Sequence, residues 1–217
     1  MPVEDAFGYE LSIDDPRAAE AWDATARAFL AHAAATPAHL ADALERAPHF
    51  ALAHAAKGFF MLLLGRGELV DAARAAHAAA TAAPGPLTAR ERAYVEALGF
   101  YLDGSMSKAA DRLDRALARW PADALMVKLV HAIRFVLGDA AGMRRSLEQV
   151  MPAYRGEHPA AGYINGCYAF ALEETGEYLA AERRGRDAVA TAPDDAWGLH
   201  AVAHVYDMTN RATEGVA

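Results

Sequence analysis

The chain has 217 residues, of which 55 are alanine, and its 21 Lys plus Arg against 29 Asp plus Glu leave a formal net charge of −8. This length can bury a sizeable core, and so much alanine, the strongest helix former, predicts helix throughout. The acidic balance excludes the basic field that non-specific binding to nucleic acid or to an anionic membrane requires.

The N-terminal residues are neither basic nor continuously apolar, so we expect no signal peptide. The longest apolar stretch, residues 51–64, is shorter than the roughly 20 residues needed to span a membrane. A single cysteine, Cys167, provides neither a disulfide framework nor zinc-ligand spacing, and its neighbours predict a buried, inert thiol. A cytoplasmic location is the simplest prediction.

Capping residues and helix breakers predict about eleven helices. The first begins at Pro16, with Asp14 or Asp15 as its cap, and runs to about residue 34. Short helices are expected to begin at Pro37 and Pro48. Later ones are predicted over 68–83, 88–102, 105–120, 122–137, 140–151, 159–175, 177–192 and 195–210.

Prolines after predicted helices recur at a nearly constant distance. Pro48, Pro84, Pro121, Pro159 and Pro193 are separated by 36, 37, 38 and 34 residues. A tetratricopeptide repeat pairs two helices in about 34 residues and often ends in proline. Alanines fall where the paired helices of such a repeat approach closely, at 97, 109, 116, 169, 181 and 188.

We therefore predict an all-α fold, a tetratricopeptide-like α-solenoid of five to six antiparallel helix pairs in one domain, residues 1–217. Residues 1–47 would be divergent helices and 48–217 the repeats; Phe60, at a position for a small residue, predicts distortion of the earlier pairs. An irregular helical bundle is the alternative. Residues 211–217 resemble a turn and the start of another helix, so we expect either a truncated chain or a homodimer that covers this end.

The stretch from Asp195 to Met208 carries the most chemistry. On a helix, His200, His204 and Asp207 fall at i, i+4 and i+7 and share a face with Trp197. Two imidazoles one turn apart can hold a divalent metal, or one can act as a general base oriented by the carboxylate. Partly buried structural histidines are the alternative.

Four residues on the first helices of earlier pairs extend this candidate site. First helices line the inner face of a solenoid, so His131, Arg134, Tyr163 and Asn165 are predicted to contribute to a binding groove. Such a mixture of aromatic, amide and cationic groups suits a small molecule or a peptide terminus.

Three segments resemble the tetratricopeptide repeat protein 38 family, also called StaR-like. They are Pro86-Leu-Thr-Ala-Arg-Glu91, the helix ending in Val-Met-Pro-Ala-Tyr154, and Asp-Ala-Trp197 followed by His200-Ala-Val-Ala-His204. The resemblance covers about residue 47 to the end and matches the N-terminal half of family members. It implies a helical repeat fold without an established activity; the family often has Glu where this chain has Asp207.

Two functions are consistent with these observations. The first is a scaffold that binds a peptide or a partner protein in its concave groove, without a cofactor. The second is an enzyme or small-molecule-binding protein whose site centres on His200, His204 and Asp207, with a divalent metal on the two histidines. The sequence does not decide whether the chain is an enzyme.

Overall fold

The structure, a computed structural model, describes residues 3–215. These residues form eleven α-helices joined by short turns. The helices are α1 (Pro16–Leu30), α2 (Thr36–Arg46), α3 (Ala51–Leu63), α4 (Val70–Thr81), α5 (Ala89–Leu102), α6 (Met106–Leu117), α7 (Ala124–Val136), α8 (Ala140–Val150), α9 (Ala161–Glu173), α10 (Tyr178–Thr191) and α11 (Ala196–Met208).

Side chains at the helix starts explain where several helices begin. Thr88 and Glu91 form a complete capping box at α5, in which each side chain accepts a hydrogen bond from the other residue's backbone N–H. The carboxylates of Asp123, Asp139 and Asp195 accept hydrogen bonds from the first turns of α7, α8 and α11. These local signals lie within a few residues of each boundary, and the predicted number of helices is confirmed.

Adjacent helices pack as pairs, from α1 with α2 to α9 with α10. The two members of a pair differ in burial. In the last pair, α10 buries one stripe of small residues, Ala181, Gly185 and Ala188, whereas α9 is buried over most of its circumference. The all-α fold built of adjacent helix pairs is therefore confirmed. That the pairs are tetratricopeptide repeats stays a prediction.

The first helix contacts a helix that is distant in the sequence as well as its neighbour. Helix α1 packs against its partner α2 and against α7, which is six helices further along the chain. Nine residues of α7, including Lys128 and His131, are buried. An inner helix of an open solenoid would expose its concave face, so α1 occupies the space that a groove would need.

Residues 3–15, which we name the N-terminal segment, run across the starts of α5, α7 and α9. The Ser12 backbone N–H and hydroxyl both donate to the Glu91 carboxylate, at 2.9 and 2.8 Å. The Ala122 backbone N–H donates to the Tyr9 hydroxyl at 3.0 Å, and the Phe7 ring stacks on His158. Hydrogen bonds and ring stacking with residues distant in the sequence thus hold the segment against the starts of these helices.

A buried ion-pair network around Arg90 connects the N-terminal segment to α5 and α7. The Arg90 guanidinium lies 2.7 Å from Asp5 and 3.0 Å from Asp123, and all three side chains are at most 3% exposed. The Tyr94 hydroxyl donates to Asp123 at 2.7 Å. Burial opposes the charge of Arg90, but the two carboxylates raise its pKa above the ordinary value. Arg90 is therefore charged inside the protein, paired on both sides.

The large side chain of Phe60 has a partner on α1. Its ring stacks on Phe29 with a centroid distance of 4.1 Å. Residues 212–215 form a turn of 3₁₀-helix after α11; the predicted further helix would continue into Val216 and Ala217, which lie outside the described residues. Within residues 3–215, no helix combines the length and apolarity needed to cross a bilayer.

Candidate functional site

Helices α9 and α11 approach each other closely because two glycines face each other where they cross. A Cβ atom added to Gly166 would lie 3.0 Å from the Cα atom of Gly198, closer than nine in ten Cβ contacts in proteins. This approach places Phe170, one turn beyond Gly166, against the face of α11 that carries Trp197 and His200.

Four rings form a continuous row at this surface, and we name it the histidine–tryptophan row. It comprises His32, Trp197, His200 and His204. His32 stacks on Trp197 with a centroid distance of 5.4 Å, Trp197 on His200 with 5.2 Å, and the His200 and His204 rings lie 4.3 Å apart. His200 is exposed and His204 half-buried. The predicted face of α11 therefore carries a row of accessible rings.

His131 lies beneath the row. The Trp197 Nε1–H donates to His131 Nε2 at 3.0 Å, which makes that nitrogen the acceptor and requires a neutral ring. Burial and, to a smaller extent, the nearby Lys128 charge together lower the pKa of His131 to about 3. The Lys128 ammonium lies 5.1 Å from the centroid of the Trp197 ring, within the range of a cation–π contact. His131 thus fixes the orientation of the indole.

The backbone of His32 is in the left-handed region, with φ at 56°. A side chain in this conformation costs free energy, about 1–2 kcal/mol for a typical residue. His32 follows the last turn of α1, where its N–H donates to the Phe29 carbonyl. Burial lowers the pKa of His32 to about 4. The contact with Trp197 therefore joins the end of α1 to α11, 165 residues further along the chain.

A pocket of about 500 Å³ opens beside His32, between α1, α2 and α3. Apart from His32 its lining is mainly aliphatic and aromatic, and we name it the apolar pocket. Its other lining residues are Phe29, Ala33, Thr36, Pro37, Leu40, Ala41, Leu44, Lys57, Phe60, Met61, Leu64 and Leu69. Lys57 is the one permanently charged side chain in the lining, and among residues 3–215 it has no hydrogen bond or salt bridge.

Two carboxylates face His204 from the C-terminal end of α9. One side-chain oxygen of Glu173, one of Glu174 and a ring nitrogen of His204 all lie within 4.8 Å of one another. The Glu173 side chain is 5% exposed, and its Oε2 atom lies 3.7 Å from His204 Nδ1. That distance is too long for a hydrogen bond. Burial raises the pKa of Glu173, and the Glu174 charge raises it further.

Three of the predicted ligand-binding residues form contacts with other side chains of the protein, away from the histidine–tryptophan row. Arg134 forms ion pairs with acidic side chains of α6 and of the turn before α8. The Tyr163 hydroxyl donates to the Asp194 carboxylate at 2.9 Å, and the Asn165 side-chain oxygen accepts from Arg184 at 2.7 Å. These contacts tie neighbouring helices together, and the structure does not bring the three residues to the histidine–tryptophan row.

The predicted residues on α11 divide into two groups. His200, His204 and Trp197 lie together in the row, with His131 bonded behind them. Asp207 is exposed and does not belong to the group of possible ligand atoms around His204.

The carboxylates near His204 instead come from Glu173 and Glu174, which sequence reasoning missed. The pair of adjacent acids at the end of a predicted helix was a visible signal. Its proximity to His204 was not visible, because it depends on how α9 and α11 cross.

No family model matches the sequence, and no solved structure matches it significantly. The family resemblance of the three sequence segments therefore stays a prediction.

Proposed function

We propose that the chain is a small-molecule-binding protein whose ligand is a hydrophobic carboxylic acid. The observation that carries this proposal is the apolar pocket, about 500 Å³ in volume, whose lining includes one ammonium group, that of Lys57, without a partner among the described residues. Ligand pockets in proteins have volumes of about 300–1,000 Å³, with mostly apolar walls and a few polar groups that orient the ligand.

The chemistry of the lining selects the class of ligand. Leu40, Leu44, Phe60 and Met61 offer apolar contact to a chain or ring, and methionine adapts its shape to different ligands. Lys57 is half-buried, so a carboxylate there would gain a charge-assisted hydrogen bond without full desolvation. An apolar acid fits both requirements, whereas a polar ligand would leave most of the lining without a partner.

The opening of the apolar pocket has an aromatic edge. His32 belongs both to the lining and to the histidine–tryptophan row, and its ring stacks on Trp197. Binding in the pocket is therefore expected to alter the environment of the Trp197 indole. This supports a role for the row as the edge of a ligand site rather than as an isolated surface feature.

The alternative function, a scaffold that binds a peptide in its concave groove, has less support. Most residues of α7 are buried and the helix contacts α1, so little of its surface is free to line a groove. A protein partner, a homodimer, an enzymatic role for His200, His204 and Asp207, and a cytoplasmic location stay predictions.

The proposal is tested by titrating the full chain with saturated fatty acids from octanoic to tetradecanoic acid, and with dodecanol as an uncharged comparison, by calorimetry. We expect saturable binding of the acids. Lys57→Met is expected to weaken acid binding about fivefold, equivalent to ~1 kcal/mol for a partly exposed ion pair, and to leave dodecanol binding unchanged.

Blocking the apolar pocket gives the matched test. Ala41 is an exposed lining residue, so Ala41→Trp should fill the pocket without disturbing the core, and binding should be lost. Ala38 is exposed on the same helix and outside the lining, so Ala38→Trp should bind like the original chain. Absence of binding, or equal binding by the Ala41→Trp and Ala38→Trp variants, would overturn the proposal.

A further inference from the structure

The end of α9 concentrates negative charge. Glu173 is the last residue of α9 and Glu174 follows it, at the helix end where the macrodipole already places partial negative charge. Like charges close together and at a helix C-terminus are mutually unfavourable. A cation bound among them would remove this repulsion.

Glu173 shows that this acidic pair is more than a solvated surface feature. Its side chain is 5% exposed, and the Oε2 atom has no hydrogen-bond partner among the described residues. A buried carboxylate oxygen without a partner costs free energy. This oxygen faces the Nδ1 atom of His204 at 3.7 Å. A polar atom is therefore buried, unpaired and directed at a second potential ligand.

The spacing of these atoms suits a transition-metal ion. Two ligands of a tetrahedral Zn²⁺, each about 2.0–2.2 Å from the metal, lie about 3.4 Å apart. The observed 3.7 Å between Glu173 Oε2 and His204 Nδ1 needs only a small inward shift. Glu174 supplies a third ligand atom within 4.8 Å of the other two. One imidazole with two carboxylates favours Zn²⁺ or a similar divalent ion over Ca²⁺ and Mg²⁺, which prefer all-oxygen sites.

We propose that Glu173, Glu174 and His204 form a binding site for a divalent transition metal of the Zn²⁺ class, with water completing the coordination. This ligand set differs from the one that the α11 sequence predicts, since it takes its carboxylates from α9 and leaves out Asp207. The site does not depend on the apolar pocket, so either proposal can fail without the other.

A bound metal would have a structural consequence. Its ligands come from the C-terminal end of α9 and from α11, so the ion would link these two helices directly. The exposed His200 ring, 4.3 Å from His204, would border the open side of the ion.

The test is a calorimetric titration of the tag-free, metal-stripped full chain with ZnCl₂. Absorption spectra of the Co²⁺-loaded chain give a second readout of the atoms that bind the metal directly. We expect one saturable site. Glu173→Gln, Glu174→Gln and His204→Asn should each weaken Zn²⁺ binding at least about tenfold, because even the loss of an outer partner of a metal ligand costs about 10–100-fold.

Asp207→Asn is the matched control, since it removes a carboxylate from the same face of α11 without touching the proposed ligands. Its Zn²⁺ affinity should stay within about twofold of the original. Three results would overturn the proposal: no saturable site, equal affinity in the Glu173→Gln variant, or loss of affinity on Asp207→Asn alone. Because Glu173→Gln keeps the shape of the side chain and removes its charge, the comparison does not depend on a destabilised variant.

Discussion

Two buried carboxylates, Asp123 at the start of α7 and Glu173 at the end of α9, differ in what surrounds them. Asp123 accepts hydrogen bonds from Tyr94 and from the first turn of α7 and forms an ion pair with Arg90. The Oε2 atom of Glu173, at the end of α9, has no hydrogen-bond partner among residues 3–215 and lies 3.7 Å from His204 Nδ1. Both side chains are at most 5% exposed.

The difference separates a structural role from a binding role. A buried charge whose partners come from its own chain holds that chain together, and removal of one partner is costly. A buried charge without a partner contributes nothing to the fold that a neutral group would not. It is the expected state of a ligand atom before its metal or substrate arrives. The following changes test this contrast, beginning with the largest effect.

Asp123→Ala should produce the greatest loss of stability. It would leave Arg90 half-paired inside the protein and would remove the N-cap of α7. We expect the free energy of unfolding to fall by about 3–5 kcal/mol, measured by urea denaturation followed by circular dichroism. Asp42→Ala, which removes an exposed pair with Arg46, should cost less than about 0.5 kcal/mol. A loss below about 1 kcal/mol for Asp123→Ala would show that the network does not hold the N-terminal segment.

The neutral ring of His131 should make the protein sensitive to acid. Its pKa is lowered from 6.5 to about 3 in the folded state, so below pH 6.5 the unfolded chain binds a proton that the folded chain does not. Stability is therefore complete above pH 6.5 and falls towards pH 3, by about 1.4 kcal/mol per pH unit and so by about 2 kcal/mol at pH 5.

His131→Gln tests this dependence, because glutamine offers an acceptor for Trp197 Nε1–H but does not titrate. The difference in unfolding free energy between pH 7 and pH 5 should shrink by about 2 kcal/mol in denaturation curves at both values. His49→Gln, at an exposed position before α3, controls for the loss of an imidazole as such. An unchanged pH dependence in the His131→Gln variant would mean that the protonated ring is tolerated in the interior.

Glu173→Gln should have a small effect of the opposite sign. The pKa of Glu173 is raised in the folded state, so the ionised side chain lowers stability at neutral pH and this cost disappears as the group is protonated in acid. With a chelator present at pH 7, we expect a gain of about 0.5–1 kcal/mol from thermal or urea denaturation. The gain should be absent at pH 4. A loss of stability on this change would show that Glu173 has a partner within the fold.

Much of the helical architecture was predictable because its signals are local. Thr88 with Glu91, and Asp195 before α11, mark helix starts within three residues of the groups they cap. The alanines at helix contacts, such as Ala109 and Ala181, are buried as predicted. Small residues at fixed spacing carry packing information that the sequence displays directly.

The composite sites were not predictable, because they depend on contacts between distant segments. Nothing near His32 in the sequence indicates that its ring stacks on Trp197. Phe60 was recognised as too large for its repeat position, but its partner Phe29 and the apolar pocket beside it were not. Similarly, the spacing of His204 and Asp207 on one helix gave no sign of Glu173 and Glu174, since helix periodicity carries no information about how α9 crosses α11.

The route of the N-terminal segment also has a consequence for the order in which the chain matures. Residues 3–15 are synthesised before the residues they contact: the Tyr9 hydroxyl accepts a hydrogen bond from Ala122, 113 residues later, and the Phe7 ring stacks on His158. Helix pairs can form one after another as they leave the ribosome, but this segment must wait for most of the chain before its partners exist. Its docking is thus a late event that reports completion of the helices beneath it.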